Sequence, residues 1–262
     1  MPILNAIYRI VCYFWHTLTA VNTAGYGIHS PLLFYWTRFL INETYPYYCF
    51  KDIENERERL LRARKKIFVE DFGTGKSEER TLRHIAQTSL MSKQEAQILF
   101  RLLYDSQPEA ILELGTNLGI TTSYIANACP KAKITTMEGS REILEEARKI
   151  WEKLEINNIT AIEGNIDNTL PEFVKQVDKL NWVIIDANHT EKATLEYYKQ
   201  ILPLLTESSI VVIDDIYYSP EMHRAWKTIR DTEEVTCSIN LFDMGILFYN
   251  KNLLHKHFKI RI

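Results

Sequence analysis

From Glu109 onward the chain alternates short apolar runs with amphipathic stretches, and this alternation limits the fold more than any other feature. Strands are expected at 110–114, 133–137, 159–163, 182–185, 210–213, 235–239 and 245–249, with helices between most of them. Runs such as WVII and IVVI lack polar alternation, which suits strands covered on both faces. The pattern predicts an α/β fold with an open, doubly wound, seven-stranded and mostly parallel sheet. Ligands of such sheets gather at the carboxyl ends of the strands, so the residues after each strand are the first candidates for a site.

The preceding segment has a different composition. Its first fifty residues hold 13 of the 30 aromatics but only three of Lys, Arg, Asp or Glu, namely Arg9, Arg38 and Glu43. Residues 1–106 are therefore expected to be a helical, aromatic-rich cap, and 107–262 the ligand-binding domain. ILNAIYRIVCYFWHTLTAV is apolar, yet Arg9 and His16 interrupt it and no basic leader with a cleavage site accompanies it, so stable membrane insertion is not expected. On a helix, Asn5, Arg9, Cys12 and His16 share one narrow stripe, with Ile3, Leu4, Ile7, Val11, Phe14, Trp15 and Leu18 around the rest. Such a helix wants cover, from the protein itself or from a second copy in a homo-oligomer, with a membrane surface as the alternative.

Local signals fix several helix starts. Ser30 followed by Pro31 reads as an N-cap and first helical position, and Ser92 with Glu95 reads as a capping box. Residues 51–66 carry eleven charges, acidic early and basic late, the order a helix dipole favours. A net charge of -3 excludes a strongly basic nucleic-acid binder. Cys12, Cys49, Cys129 and Cys237 stand far apart, which suggests neither a zinc knuckle nor a disulfide framework; a reducing compartment, the cytoplasm, is expected.

Two glycine stretches compete for a cofactor. VEDFGTGKS ends like a phosphate-binding loop, but the position five before Gly75 is Glu70 where that loop needs glycine, so the stretch reads as a structured loop. ELGTNLG follows the first sheet strand and opens a helix carrying Thr121 and Thr122 in its first turn. Its spacing, Glu113-x-Gly115-x-x-x-Gly119, lacks the middle glycine of the dinucleotide fingerprint, which argues against NAD. The helix N-terminus favours a carboxylate-bearing ligand, and Glu113 an ammonium group.

Here the chain resembles the class I S-adenosylmethionine-dependent methyltransferases, whose first motif is an acidic residue followed by spaced glycines. The resemblance implies that Glu113, Gly115, Thr116, Asn117, Gly119, Thr121 and Thr122 surround the donor. It implies also that Glu138, with Gly139 in TTMEGS, holds the ribose hydroxyls, and that Asn165 and Ile166 in IEGNID lie near the adenine, where an aspartate is commoner. More narrowly, GIHSPLLF, LELGTNLGITTSYIA, IDANHT and VVIDDIYYSPEMHRAW look like a bacterial branch of family 24 type. The fold implied is the Rossmann-like methyltransferase fold.

The chemistry is then sought after strands four and five. IIDANHT places Asp186 and His189, and VVIDDIYYS places Asp214 and Asp215, at neighbouring strand ends. Three converging carboxylates repel one another unless a cation joins them, and such oxygen ligands suit Mg2+ or another divalent ion. The arrangement is similar to that of metal-dependent sugar O-methyltransferases. That resemblance implies Asp186, Asp214 and Asp215 as metal ligands, Asp186 also near the donor, and His189 as general base. Other uses compete: one of the acidic pair as a cap for a helix near Ser219, His189 as a cap or lining of the next helix, and Asp186 on substrate or cofactor without metal. Asn188, Tyr217 and Tyr218 are candidate pocket walls.

The expected activity is methyl transfer from S-adenosylmethionine to the hydroxyl of a small-molecule acceptor, assisted by a divalent metal. Metal-independent N- or O-methylation and cofactor binding without turnover are the alternatives.

Overall fold

A computed structural model describes residues 3–70, 72, 75–253 and 256–262, with the side chain of Ile3 left out. The chain divides into two compact units, one made of 1–43 and 177–262 and the other of 44–176. This partition differs from the division at 106/107, which follows composition along the chain. Elements are numbered in chain order.

The first unit opens with α1 (Ile3–Thr19) and α2 (Pro31–Tyr35), the latter continuing into a wider π-type turn over Trp36–Ile41. Ser30 caps α2 through its side chain, with Pro31 at the first position, as the sequence indicates. The α1 helix turns its polar stripe inward. His16 is 2% exposed and its Nε2 lies 3.1 Å from the carbonyl oxygen of Ile260, and Arg9 reaches Asp215 and Asp243. Leu4, Ile7, Val11, Phe14, Trp15 and Leu18 are left exposed. The cover expected for them therefore does not come from within their own unit. The cause is chemical: the unit's carboxylates and carbonyl groups pair with the polar stripe, and the opposite face is left outside.

The second unit contains α3 (Phe50–Arg62), a hairpin of β1 (Lys66–Val69) and β2 (Glu78–Thr81), α4 (Leu82–Ser89) and α5 (Lys93–Ser106). There follow β3 (Ala110–Leu114), α6 (Ile120–Ala128), β4 (Lys133–Glu138), α7 (Arg141–Lys153), β5 (Ile159–Glu163) and α8 (Ile166–Val174). The Ser92–Glu95 capping box forms at the start of α5. β3, β4 and β5 pair in parallel, with Glu113 opposite Thr136 and Glu138 opposite Glu163. Leu112, Leu114 and Met137 are fully buried, as their unbroken apolar runs require. The β1–β2 hairpin is additional to the expected elements. Within the loop between its strands, Asp71, Gly73 and Thr74 lie outside the described residues.

The first unit resumes with β6 (Leu180–Ile185), α9 (Glu191–Ile201), β7 (Leu205–Ile213), α10 (Pro220–Arg230), β8 (Cys237–Asn240), β9 (Gly245–Phe248) and β10 (Lys256–Lys259). β6 and β7 are parallel, β9 runs antiparallel to β7 and to β8, and β10 pairs in parallel with β8. All seven expected strands form, and the fold is α/β with a mostly parallel sheet, as read from the alternation. β10 is an addition; it places His257 within 2.9 Å of the Ser238 hydroxyl, while His255 lies outside the described residues. No helix among the described residues is long and apolar enough to cross a membrane. The four cysteines are free, with Cys49, Cys129 and Cys237 buried and their thiols pushed up to about 12 by desolvation.

Candidate functional site

In the second unit the site residues hang on the ends of β3 and β4. Glu113 is 1% exposed, and its Oε2 accepts from the hydroxyls of Thr122 and Thr136, each at 2.6 Å. Burial raises its carboxyl to about 7, the two hydroxyls pull it down, and the charge of Glu138 adds to the rise. Its other oxygen is buried without a hydrogen-bond partner among the described residues. Glu113 is therefore a brace beneath the loop. It ties β3, β4 and the first turn of α6 together, and Thr122, fully buried, belongs to the same brace.

The loop above it is held by the backbone. The amides of Gly115 and Thr116 donate to the carbonyl of Met137 at 3.0 and 3.1 Å. The Thr116 and Thr136 hydroxyls stand 2.6 Å apart. Asn117, in left-handed conformation, donates its amide to Glu138 Oε2 at 2.9 Å, and Ser140 donates its amide to Oε1 at 2.9 Å. Burial raises the Glu138 carboxyl, and the amides of Ser140, Asn117 and Gly139 oppose the rise. Gly119 takes φ +73 at the start of α6, where a Cβ would fall 2.7 Å from the Trp151 ring nitrogen. That glycine is required by packing inside the protein, whatever binds above it.

Among these residues Gly115, Asn117, Glu138, Gly139 and Asn165 are half-buried, whereas Thr116, Gly119, Thr121, Thr122 and Ile166 are buried. The accessible surface is thus smaller than the motif. Asn165 caps α8, its side chain accepting from the amide of Asp167 at 3.0 Å. A residue the sequence reading missed is Phe72: its ring lies where a Cβ on Gly139 would fall, at 2.6 Å. The only sequence signal for it was a lone aromatic between glycines and charges.

In the first unit the residues after β6 and β7 form a second group. His189 Nε2 is 3.6 Å from Asp186 Oδ1, and its Nδ1 is 3.9 Å from Asp215 Oδ2. All three are half-buried, while Asp214 is 7% exposed. Asn188, His189 and Asp215 all take positive φ, at 61°, 40° and 54°, a strained conformation that aims their side chains. Asn188 donates to the hydroxyl of Tyr197, and Tyr218 sets its ring 5.6 Å from that of His189. Tyr217 instead stacks on Phe242 at 4.9 Å and is buried, so it packs. Ser219 itself caps α10, so neither acidic residue serves as that cap.

Asp215 has a partner the sequence reading did not assign. Arg9 Nη1 lies 3.2 Å from Asp215 Oδ1 and Nη2 lies 2.5 Å from Asp243 Oδ1, with the guanidinium 5.4 Å from the Phe242 ring centre. Among the described residues no three His, Cys, Asp or Glu side chains come together as a metal-holding group. The set Asp186, Asp214 and Asp215 does not fit a divalent cation, because one of its oxygens already faces a guanidinium and Asp214 is withdrawn into the interior.

Comparison with known proteins agrees with the motif. Residues 112–216 match the family model described as a methyltransferase domain of the Methyltransf_24 type. The probable O-methyltransferase Rv1703c of Mycobacterium tuberculosis is 29% identical over 143 residues, which are 47% of this chain and 60% of that protein. The chain thus spans less than two thirds of that relative's length. Among solved structures, the Bacillus cereus O-methyltransferase in complex with SAH superposes with a TM-score of 0.57 at 13% identity, covering 79% of this chain and 93% of that one. The O-methyltransferase TomG from Streptomyces achromogenes, in complex with SAM, gives 0.54 at 18% identity, covering 62% and 82%. The structural likenesses establish the fold, and residues 112–216 match the methyltransferase-domain model.

Proposed function

We propose that the protein transfers the methyl group of S-adenosylmethionine to a hydroxyl of a small-molecule acceptor. The observation that carries this reading is the pairing of a family 24 domain with a half-buried imidazole flanked by Asp186 and Asp215. Glu138 suits the donor's ribose, since its carboxylate, held by the amides of Asn117, Ser140 and Gly139, is only half-buried, and Gly115, Asn117, Gly139 and Asn165 offer accessible surface around it. Buried Glu113, Thr116, Gly119, Thr121, Thr122 and Ile166 act through that surface by holding its shape. The donor, when bound, supplies a methyl group on a sulfonium leaving centre.

His189 takes the proton of the acceptor hydroxyl, and the carboxylates of Asp186 and Asp215 stabilise the imidazolium that forms. The acceptor oxygen then attacks the methyl carbon while the bond from that carbon to sulfur breaks, leaving S-adenosylhomocysteine. No step is routed through a metal. The exposed apolar face of α1 supports a homo-oligomer, because Leu4, Ile7, Val11, Phe14, Trp15 and Leu18 together offer an area of roughly the 800 Å2 per partner that a stable interface buries.

Calorimetry with S-adenosylmethionine tests the first half: saturable one-to-one binding is expected. Transfer of labelled methyl from the donor to a panel of hydroxylated small molecules tests the second. A chain that binds the donor yet labels no acceptor, while remaining folded, would be a binding protein and not an enzyme.

A further inference from the structure

The geometry points to Arg9 as the resident cation beside Asp215, one of the carboxylates flanking His189, so that methyl transfer by this chain needs no metal ion at these carboxylates. The inference rests on the functional reading above only in naming the reaction; the cation's identity stands on geometry. Arg9 donates from Nη1 to Asp215 Oδ1 at 3.2 Å, and its Nη2 lies 2.5 Å from Asp243 Oδ1 as an ion pair, so a single guanidinium faces two carboxylates. Its delivery is fixed on both sides along α1. At the preceding residue the Tyr8 hydroxyl lies 2.5 Å from His223 Nδ1, and two turns later His16 meets the carbonyl of Ile260.

A dication bound at Asp215 would stand beside a fixed positive charge, and their repulsion in a half-buried setting opposes binding. Removing the guanidinium takes away the positive charge that stands against the Asp215 and Asp243 carboxylates. The arrangement also explains why a helix with an apolar outer face carries an arginine at its centre. The helix serves as the arm that brings a cation to the strand ends.

The test is a titration of the full chain with Mn2+ alone, read by the loss of free-ion signal in electron paramagnetic resonance. The wild type is expected to bind no Mn2+ through this group. Arg9→Ala is expected to gain at least about tenfold in Mn2+ affinity, since the positive charge beside Asp215 is removed. The gain should vanish when Asp215→Asn is added. Arg9→Lys keeps the positive charge on a flexible stem and should still exclude the ion; it also serves as the informative variant if Arg9→Ala does not fold.

Stoichiometric Mn2+ binding by the wild type that Asp215→Asn abolishes would overturn the inference, as would a folded Arg9→Ala that binds no more Mn2+ than the wild type. Donor binding measured in parallel separates the two readings. A wild type that binds no S-adenosylmethionine defeats the proposed function, while the Mn2+ result still decides what Arg9 does.

Discussion

The residues around Glu113 and those around His189 are built on opposite terms. Beneath the Gly115–Gly119 loop nearly every polar group has a short partner, from paired hydroxyls to backbone amides, and the one glycine forced by packing meets a tryptophan. Around His189 the contacts are long, at 3.6 and 3.9 Å, and three side chains stand on positive-φ backbone. On the proposed function the contrast is a division of labour: a loop shaped by internal bonds would present one fixed surface to a donor that never changes, whereas loosely paired groups on strained backbone would keep the adjustability that a proton transfer needs.

The largest expected effect breaks the loose side alone. His189→Ala should lower turnover by about a hundredfold to ten-thousandfold while leaving donor affinity intact, because general-base catalysis contributes on that scale and the donor-side residues are untouched. Initial rates and calorimetry on the same preparation check it. A loss of donor binding equal to the loss of rate would mean that His189 belongs to the donor surface.

The rigid side breaks differently. Gly119→Ala puts a Cβ 2.7 Å from Trp151 and 2.8 Å from Ala147 at a left-handed φ, and should cost roughly 2–4 kcal/mol of stability. Urea denaturation measures this directly. An unchanged midpoint would show that the loop has slack the hydrogen bonds do not suggest.

Glu113 sharpens the comparison through pH. Its folded carboxyl, raised to about 7 by burial, holds its proton more tightly than the unfolded chain does. That contribution to stability is complete below the ordinary carboxylate range near 4.5 and is lost as pH rises through about 7. The wild type should therefore lose on the order of 3 kcal/mol relative to Glu113→Gln between those limits. Thermal melts of both proteins across that range test the slope, and parallel curves would place the titration elsewhere.

Much of this was legible in the sequence, for identifiable reasons. The strands were found because burial on both faces writes unbroken apolar runs, and the helix starts because Ser30 and Ser92 sit where capping chemistry demands. The β1–β2 hairpin was not, because EERT carries charge on exposed and half-buried positions and shows no apolar alternation. The carboxylates after β6 and β7 were legible as candidates; their partner was not. Arg9 lies 206 residues from Asp215, and no local pattern records which end of a chain returns to a given strand. The residue that interrupts an apolar helix is also the one that ties it to Asp215 and Asp243.

Glu138 gives the smallest effect and the cleanest one. It sits where the two designs meet in a single side chain: both oxygens are gripped by backbone amides, as on the rigid side, yet the residue is half-exposed, as on the adjustable one. Glu138→Gln keeps the size and one acceptor but loses the charge, and its amide nitrogen cannot accept from the backbone. Donor affinity should fall about tenfold to a hundredfold, the worth of a hydrogen bond to a charged group, with turnover at saturating donor nearly unchanged. A fall in turnover at saturation would show that the loop's shape reaches the reacting atoms and that the rigid and adjustable halves are not independent.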